Sequence, residues 1–300
     1  MLRGNERRKQ RRDEQYQAWL LCAPAVLVLI LVTAYPILYA IWLSFFRYDL
    51  RFPNQRIFVG LDNYLSILTS EVWWQAMSNT LILTISSVAL ELILAFPLAL
   101  IMYHTIFWRH AVRAATLLPY VITTVVAAFA WKFAFDPTTG FINALLGMEQ
   151  AWLTQRWSSF LVIILTEIWK TTPFMALMLL AGLTLVPNEL IQAARVDGAN
   201  VWQRFIKITV PMMKPAILVA VLFRTLDAFR IFDTVFVLTS GAQDTETVSM
   251  IGYNTLIVSL NLGLGSAVSV LIFISILVIS VLFVKGFNIT LSKRESGDQK

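Results

Sequence analysis

Apolar residues dominate this chain in six long runs, near 18–46, 78–103, 111–135, 157–182, 212–238 and 264–287, each separated from the next by a polar segment. A helix needs about 20 apolar residues to cross the hydrocarbon core of a bilayer, so each run predicts a membrane-spanning helix. Prolines 24, 36, 97, 119 and 173 fall within or at the edges of these runs. Membrane helices accept proline where neighbouring groups satisfy the freed carbonyls. The polar segments carry patterns of their own. From Pro187, PNELIQAARVDG reads as a short helix: proline suits the first turn, Glu189 the positive end of the helix dipole, and Gly198 the stop. Asn200 can cap a second helix in which Trp202, Phe205 and Ile208 recur at helical spacing, ending near Pro211. The stretch DPTTGFINALLGMEQAWLTQ, from Asp136, mixes turn residues with a short apolar piece and predicts a small loop holding one helical turn. Residues 47–77 include Tyr64, Trp73 and Trp74, amphipathic rings suited to a membrane interface.

Composition agrees with that pattern. Of 300 residues, 58% are hydrophobic and 14% charged, against roughly 25% charged in soluble domains. The fold class is therefore all-α and polytopic, with six transmembrane helices. A net charge of +6 does not point to nucleic acid, because the basic residues sit between apolar spans. Cys22 is the one cysteine, and His104 and His110 the only histidines, both in one short polar loop. Internal disulfides and cysteine-based metal sites are thereby excluded, and little is left for histidine catalysis.

Lys and Arg placement sets orientation. The basic tail MLRGNERRKQRRDEQYQ precedes a run too long for a cleaved signal peptide, so it reads as a cytoplasmic tail (1–17) before a retained first span. With that tail inside, the inner segments hold 16 Lys and Arg, and the outer ones hold four: Arg47, Arg51, Arg56 and Arg156. The positive-inside rule places both termini and the segment 187–211 in the cytoplasm. The chain divides into the tail, a six-span domain (18–287) and a second cytoplasmic tail (288–300).

Eight ionisable residues lie within the runs: Glu91, Lys132, Glu167, Lys170, Arg224, Asp227, Arg230 and Asp233. Each unpaired charge costs on the order of 3 kcal/mol at the bilayer centre, so most must pair or line a wet cavity. In FRTLDAFRIFDTVF the charges alternate in sign every three residues, interleaved with Phe223, Phe229, Phe232 and Phe236. On one continuous helix the row would wind around the axis while rising roughly 13 Å. Two readings stand side by side: buried ion pairs that tie helices together, and an aromatic-lined polar pocket able to hold a sugar. Lys132 sits near a span end and can snorkel. Glu91 has no local partner, which predicts a salt bridge to another helix.

By physics alone, the 187–211 segment could be an interfacial amphipathic hairpin or a docking element. Its pattern AA-x-x-DGA, followed by Phe205, Ile208 and Pro211, resembles the EAA loop of ABC importer permeases. The resemblance runs over nearly the whole chain, through APAVLVLILVTAYPILYAIWLSF, VGLDNY, NTL, LLPYVI, WKTTPFM and FD-x-x-x-x-LT. These motifs are similar to the carbohydrate-uptake group, in particular the maltose-type F subunit. WKTTPFM and FRTLDAFRIFD further resemble mycobacterial trehalose-importer permeases.

The resemblance implies the type I importer permease fold and a transport subunit of a bacterial plasma membrane, not an enzyme. It implies inward movement of a disaccharide, trehalose, by alternating access. Partners implied are a second homologous permease subunit, two ATPase subunits, and an extracytoplasmic sugar-binding protein. The implied ATPase-coupling residues are Gln192, Ala193, Ala194, Asp197, Gly198 and Ala199. Implied sugar contacts are Glu167, Lys170, Thr171 and Phe174 before the loop, and Arg224, Asp227, Arg230 and Ile231 after it. No GxxxxGK[ST] phosphate loop occurs in the chain, so ATP and Mg belong to the ATPase subunits and no cofactor or metal is expected on this chain.

Two departures stand out. Gln192 replaces the family's first glutamate, so its salt link to the ATPase becomes a neutral hydrogen bond or is absent. LTSGAQ replaces LT-x-GGP, which leaves the following loop's shape open. Two other function classes compete. An ion-coupled secondary transporter would move protons on Asp227 and Asp233, but such folds usually show paired repeats and broken helices. A membrane enzyme would need a nucleophile, base or metal constellation, and none is found.

Overall fold

The structure is a computed structural model that describes residue 19 and residues 21–105 and 107–286. The two expected tails, 1–17 and 288–300, lie outside the described residues. The described chain is helical apart from one minimal hairpin of β1 (Phe46–Arg47) and β2 (Ile57–Phe58), paired antiparallel with Phe46 opposite Phe58. In order, the helices are α1 (Leu21–Leu43), α2 (Asp62–Leu68), α3 (Glu71–His104), α4 (Arg109–Val121), α5 (Thr124–Ala134) and α6 (Phe141–Leu146). They continue as α7 (Arg156–Leu183), α8 (Asn188–Val196), α9 (Val201–Ala228), α10 (Asp233–Leu238), α11 (Val248–Tyr253) and α12 (Leu262–Gly286). Among the described residues, α1, α3, α7, α9 and α12 are each long and apolar enough to cross a membrane. A sixth crossing exists if α4 and α5 count as one broken span.

The chain forms two compact units, one within Met1–Ser66 and Thr255–Val270, the other within Ile67–Asn254 and Leu271–Lys300. In the first, a π turn at Ile30–Ala34 precedes Pro36, which cannot donate to the helix ladder. Asn63 Nδ2 donates to the Ser44 and Phe46 carbonyls at 2.8 and 2.9 Å. The Arg56 guanidinium lies 4.0 Å from the Trp42 ring centroid, a cation–π contact beside the β-hairpin.

In the second unit α3 and α7 pack along their lengths. Ala95, Ala99 and Met102 of α3 share a sealed core with Met175, Ala176 and Leu179 of α7, joined by Met213 and Ala220 of α9. Small residues matter here because lipid supplies no hydrophobic push between helices, so close approach must supply the attraction. At the α7–α9 crossing, a Cβ on Gly182 would sit 2.5 Å from the Ala216 Cβ, too close for any side chain without displacement.

Four sequence-based expectations need correction. The run 111–135 is not one straight helix: Ile122 and Thr123 are extended, and α4 meets α5 at an 84° bend. The run 212–238 is also interrupted, because α9 ends at Ala228 and α10 starts at Asp233. In the break Phe229 and Ile231 turn into the core, and the Ile231 carbonyl accepts from Thr247 Oγ1 at 3.1 Å. The second hairpin helix does not stop near Pro211. A π turn at Phe205–Thr209, closed by Val210 N–H on the Phe205 carbonyl, carries the helix past Pro211. Finally, Trp73 is not an interface ring. Because α3 begins at Glu71, Trp73 shares the inner face with Ala76, Thr80 and Leu83, while Trp74 points outward.

Candidate functional site

Three helices and the α10 turn converge on one buried guanidinium. Arg224, 1% exposed near the end of α9, donates from Nε to Glu91 Oε2 at 2.7 Å and from Nη2 to Glu91 Oε1 at 2.8 Å. Glu91, on α3, is wholly sealed. Thr171 Oγ1 donates to Glu91 Oε1 at 2.7 Å, and also reaches the Glu167 carbonyl one turn back on α7. Glu167 Oε2 lies 4.0 Å from Arg224 Nη2, and its Oε1 accepts from Thr234 Oγ1 of α10 at 2.5 Å. The remaining edge of the guanidinium, Nη1, donates to Asp227 Oδ2 one turn along α9. The interhelix partner predicted for Glu91 is thus Arg224. Thr234 carries no sequence signal, because its helix is set off by a tertiary break.

The expected sugar contacts divide by exposure. Thr171, Arg224 and Ile231 are buried, and the hydroxyl and guanidinium are already bonded within the protein; Glu167 is buried but for one edge. Asp227 and Arg230 are exposed, and 63% of the Asp227 side chain is accessible. Lys170 and Phe174 are half-buried and share Tyr120 of α4. Phe174 stacks on that ring at 5.0 Å between centroids, and Lys170 Nζ lies 5.4 Å above it. Beyond the end of α9, Phe232, Phe236 and Tyr253 touch one another with centroids 5.0 to 5.4 Å apart. Tyr120 and Tyr253 were outside the expected set, because only the tertiary fold brings them to these rings. The winding row of four charges does not exist on one helix: Arg224 and Asp227 pair on α9, Arg230 lies within the break, and exposed Asp233 opens α10.

The polar segment after α7 folds as a tight hairpin. Helix α8 ends with Asp197 N–H on the Ala193 carbonyl and Ala199 N–H on that of Ala194. Gly198 takes φ +80°, the left-handed region glycine enters without strain, and nothing lies within 4 Å of where a Cβ would stand. Asn200 and Gln203 close a reciprocal capping box at 2.8 and 2.9 Å, and Arg204 Nη1 donates to the Ala199 carbonyl. The hairpin borders a concavity of about 360 Å³ lined by Asp197, Gly198, Arg204 and Lys207. Gln192, Ala193, Asp197 and Gly198 are exposed, Ala194 and Ala199 half-buried, and Val196, Val201 and Trp202 form an apolar rim. Phe205 anchors this element to α3 by an edge contact with Phe96 at 5.6 Å.

At the far end of the same unit, side chains hold the loops. Lys132 does not snorkel; its Nζ donates to the Val237 carbonyl at 2.8 Å. The loop after α10, whose shape LTSGAQ left open, turns through left-handed Ser240, Gly241, Gln243 and Asp244. Asn79 clasps it, donating from Nδ2 to the Asp244 and Glu246 carbonyls at 2.8 Å each, while its Oδ1 accepts from Arg156. Between α5 and α6, Asp136 Oδ1 accepts from the backbone N–H and hydroxyl groups of Thr139 and Thr138, which hold its carboxyl far below the usual carboxylate range.

Residues 78–292 match the family described as the binding-protein-dependent transport system inner membrane component. The chain is 50% identical over 277 residues to the trehalose transport system permease protein SugA of Mycobacterium tuberculosis, covering 92% of this chain and 90% of that protein. It is 36% identical over 273 residues to the trehalose/maltose transport system permease protein MalF of Thermococcus litoralis, covering 89% and 92%. Its fold matches a chain of a bacterial ABC transporter that imports the acidic polysaccharide alginate, with a TM-score of 0.80, 22% identity, and 95% and 100% of the two chains covered.

Proposed function

We infer, because the chain belongs to the family of binding-protein-dependent transport system inner membrane components, that it carries trehalose across the inner membrane as one permease of an ATP-driven importer. It is a transport subunit of a multi-pass membrane complex. The names of the two relatives support the choice of sugar, as both carry trehalose.

One observation carries the mechanism: a single helix joins the hairpin to the charged cluster. Helix α9 has 28 residues, about 42 Å at 1.5 Å per residue. Trp202 and Phe205 stand at one end, Arg224 and Asp227 at the other. Displacement of the hairpin therefore reaches the cluster along one continuous helix. The complex comprises this chain, a second homologous permease subunit, two ATPase subunits that hold ATP and Mg, and an extracytoplasmic sugar-binding protein. ATP-driven closure of the ATPases pushes on Ala193, Ala194, Asp197, Gly198 and Ala199 and rocks the spans between outward- and inward-open states. Gln192 makes at most a neutral hydrogen bond to the ATPase.

Asp227 and Arg230 offer an exposed carboxylate and guanidinium, groups that bind neighbouring sugar hydroxyls in pairs. Lys170 adds a third polar group, and the Phe174–Tyr120 stack a flat face for the apolar side of a sugar ring. Glu167, Thr171, Arg224 and Ile231 form the wall behind them. The excess of Lys and Arg in alternate segments, 16 against four, supports both termini and the hairpin facing the cytoplasm.

Alanine at Asp227 or at Arg230 should abolish trehalose uptake by the reconstituted complex while all subunits still co-purify. Uptake that survives both substitutions removes this pocket.

A further inference from the structure

We propose that Glu91, which lies outside the expected sugar contacts, is a positioning residue of the sugar site: it fixes Arg224 and, through Arg224, the direction in which Asp227 presents its carboxylate. The proposal rests on the reading of Asp227 as sugar-facing.

A guanidinium is planar and presents its N–H groups in a fixed fork. Glu91 engages one edge of that fork with both oxygens, at 2.7 and 2.8 Å. Fixing that edge fixes the opposite one, where Nη1 meets Asp227. The anchor itself is held: the Thr171 hydroxyl donates to Glu91 Oε1 from α7, so the carboxylate cannot rotate freely. Glu91 is fully sealed and Arg224 is 1% exposed, so neither presents a free surface to a ligand. The Asp227 side chain, by contrast, is 63% exposed. A chain of rigid contacts thus runs from a sealed carboxylate on α3 to an accessible one on α9. A carboxylate held in place before binding accepts two hydroxyls without first losing rotamer freedom.

A purely structural Glu91 would tie α3 to α9 and nothing more. The two roles differ in whether Glu91 and Asp227 are coupled, since Arg224 links them. Glu91→Gln keeps shape and one carbonyl acceptor but removes the charge-assisted fork. In the complex reconstituted with its ATPase subunits, second permease and binding protein, the readout is trehalose moved per ATP hydrolysed.

Glu91→Gln should lower this ratio about 2- to 10-fold, the effect of re-immobilising one side chain on binding. In an Asp227→Asn background, which keeps one carbonyl acceptor and with it a reduced but measurable uptake, it should lower the ratio no further. Arg224→Lys, which keeps the charge and loses the planar fork, should reproduce the same fall. The proposal is overturned if uptake and hydrolysis fall in equal proportion, or if Glu91→Gln acts equally in both backgrounds. It is overturned too if Glu91→Gln yields no complex while Arg224→Lys assembles with a normal ratio. A normal ratio in Asp227→Asn alone refutes the sugar-facing reading itself, and the proposal falls with it.

Discussion

Replacing Arg224 with leucine should be far more damaging than replacing Arg224 and Glu91 together. In the single variant the Glu91 carboxylate keeps its sealed position but loses both guanidinium N–H donors, leaving the Thr171 hydroxyl as its bonded partner among the described residues. Stranding one member of a buried ion pair costs about 3–5 kcal/mol; the surviving hydroxyl bond offsets about 1 kcal/mol of that. At roughly 2–4 °C per kcal/mol for a domain of this size, the melting temperature falls on the order of 10 °C. In Arg224→Leu with Glu91→Leu the Glu91 charge is gone, and buried Glu167, 4.0 Å from Nη2, loses that cation in both variants, so the difference between them isolates the stranded Glu91 carboxylate. Asp227 is already largely exposed and needs no buried partner. The assay is a fluorescence-monitored thermal melt of the purified complex for both variants. A double variant that melts as low as the single one would refute the claim that the penalty is an uncompensated carboxylate.

Three further outcomes follow from local geometry. Gly198→Val should weaken ATPase co-purification and ATP-driven uptake more than Gly198→Asn, because φ +80° costs a β-branched residue on the order of 1–2 kcal/mol whereas asparagine tolerates it; equal effects would point to side-chain contact instead. Gly182→Leu should lower the melting temperature through overpacking of about 1–3 kcal/mol or more at the α7–α9 crossing, where Ala216 Cβ leaves no room; an unchanged melt contradicts that packing. Asp136→Asn should melt below the parent protein by a gap that is constant from pH 8 to pH 5. The Asp136 carboxyl is held below its ordinary range by Thr139 and Thr138, so its contribution is fully present above the unfolded value of about 3.9 and is lost only as pH falls below it. A gap that narrows between pH 8 and pH 6 would contradict this.

Some features could be read from residues alone because the cause is local. Glu189, Gly198 and the Asn200 cap act within a few residues, so the hairpin's turn and caps follow from spacing, and the structure adds Gln203 as the other half of a capping box. Apolar run length likewise gives the helices, since each span is a property of one segment. Direction is different. The bend at Ile122–Thr123 and the break between Ala228 and Asp233 lie inside apolar sequence with no glycine, and hydropathy is blind to both. The second break is set by distant groups, with Phe229 and Ile231 drawn into the core and Thr247 bonded to the Ile231 carbonyl. Pro211 misled for the opposite reason: a proline reads as a stop, but one π turn absorbs its missing N–H and lets α9 continue. At the candidate site, charge spacing located Arg224 and Asp227 but could not say that one is sealed against Glu91 and the other open. That division depends on a helix 133 positions away in sequence.

The most direct test of ATP-driven trehalose import is uptake into proteoliposomes that contain this chain, its second permease and two ATPase subunits, with the binding protein supplied on the opposite side from the ATPases. Labelled trehalose should accumulate only when ATP and Mg reach the ATPases, and collapse of any proton gradient should leave uptake unchanged. Accumulation by this chain alone, without ATP and driven by a proton gradient, would contradict the importer reading outright.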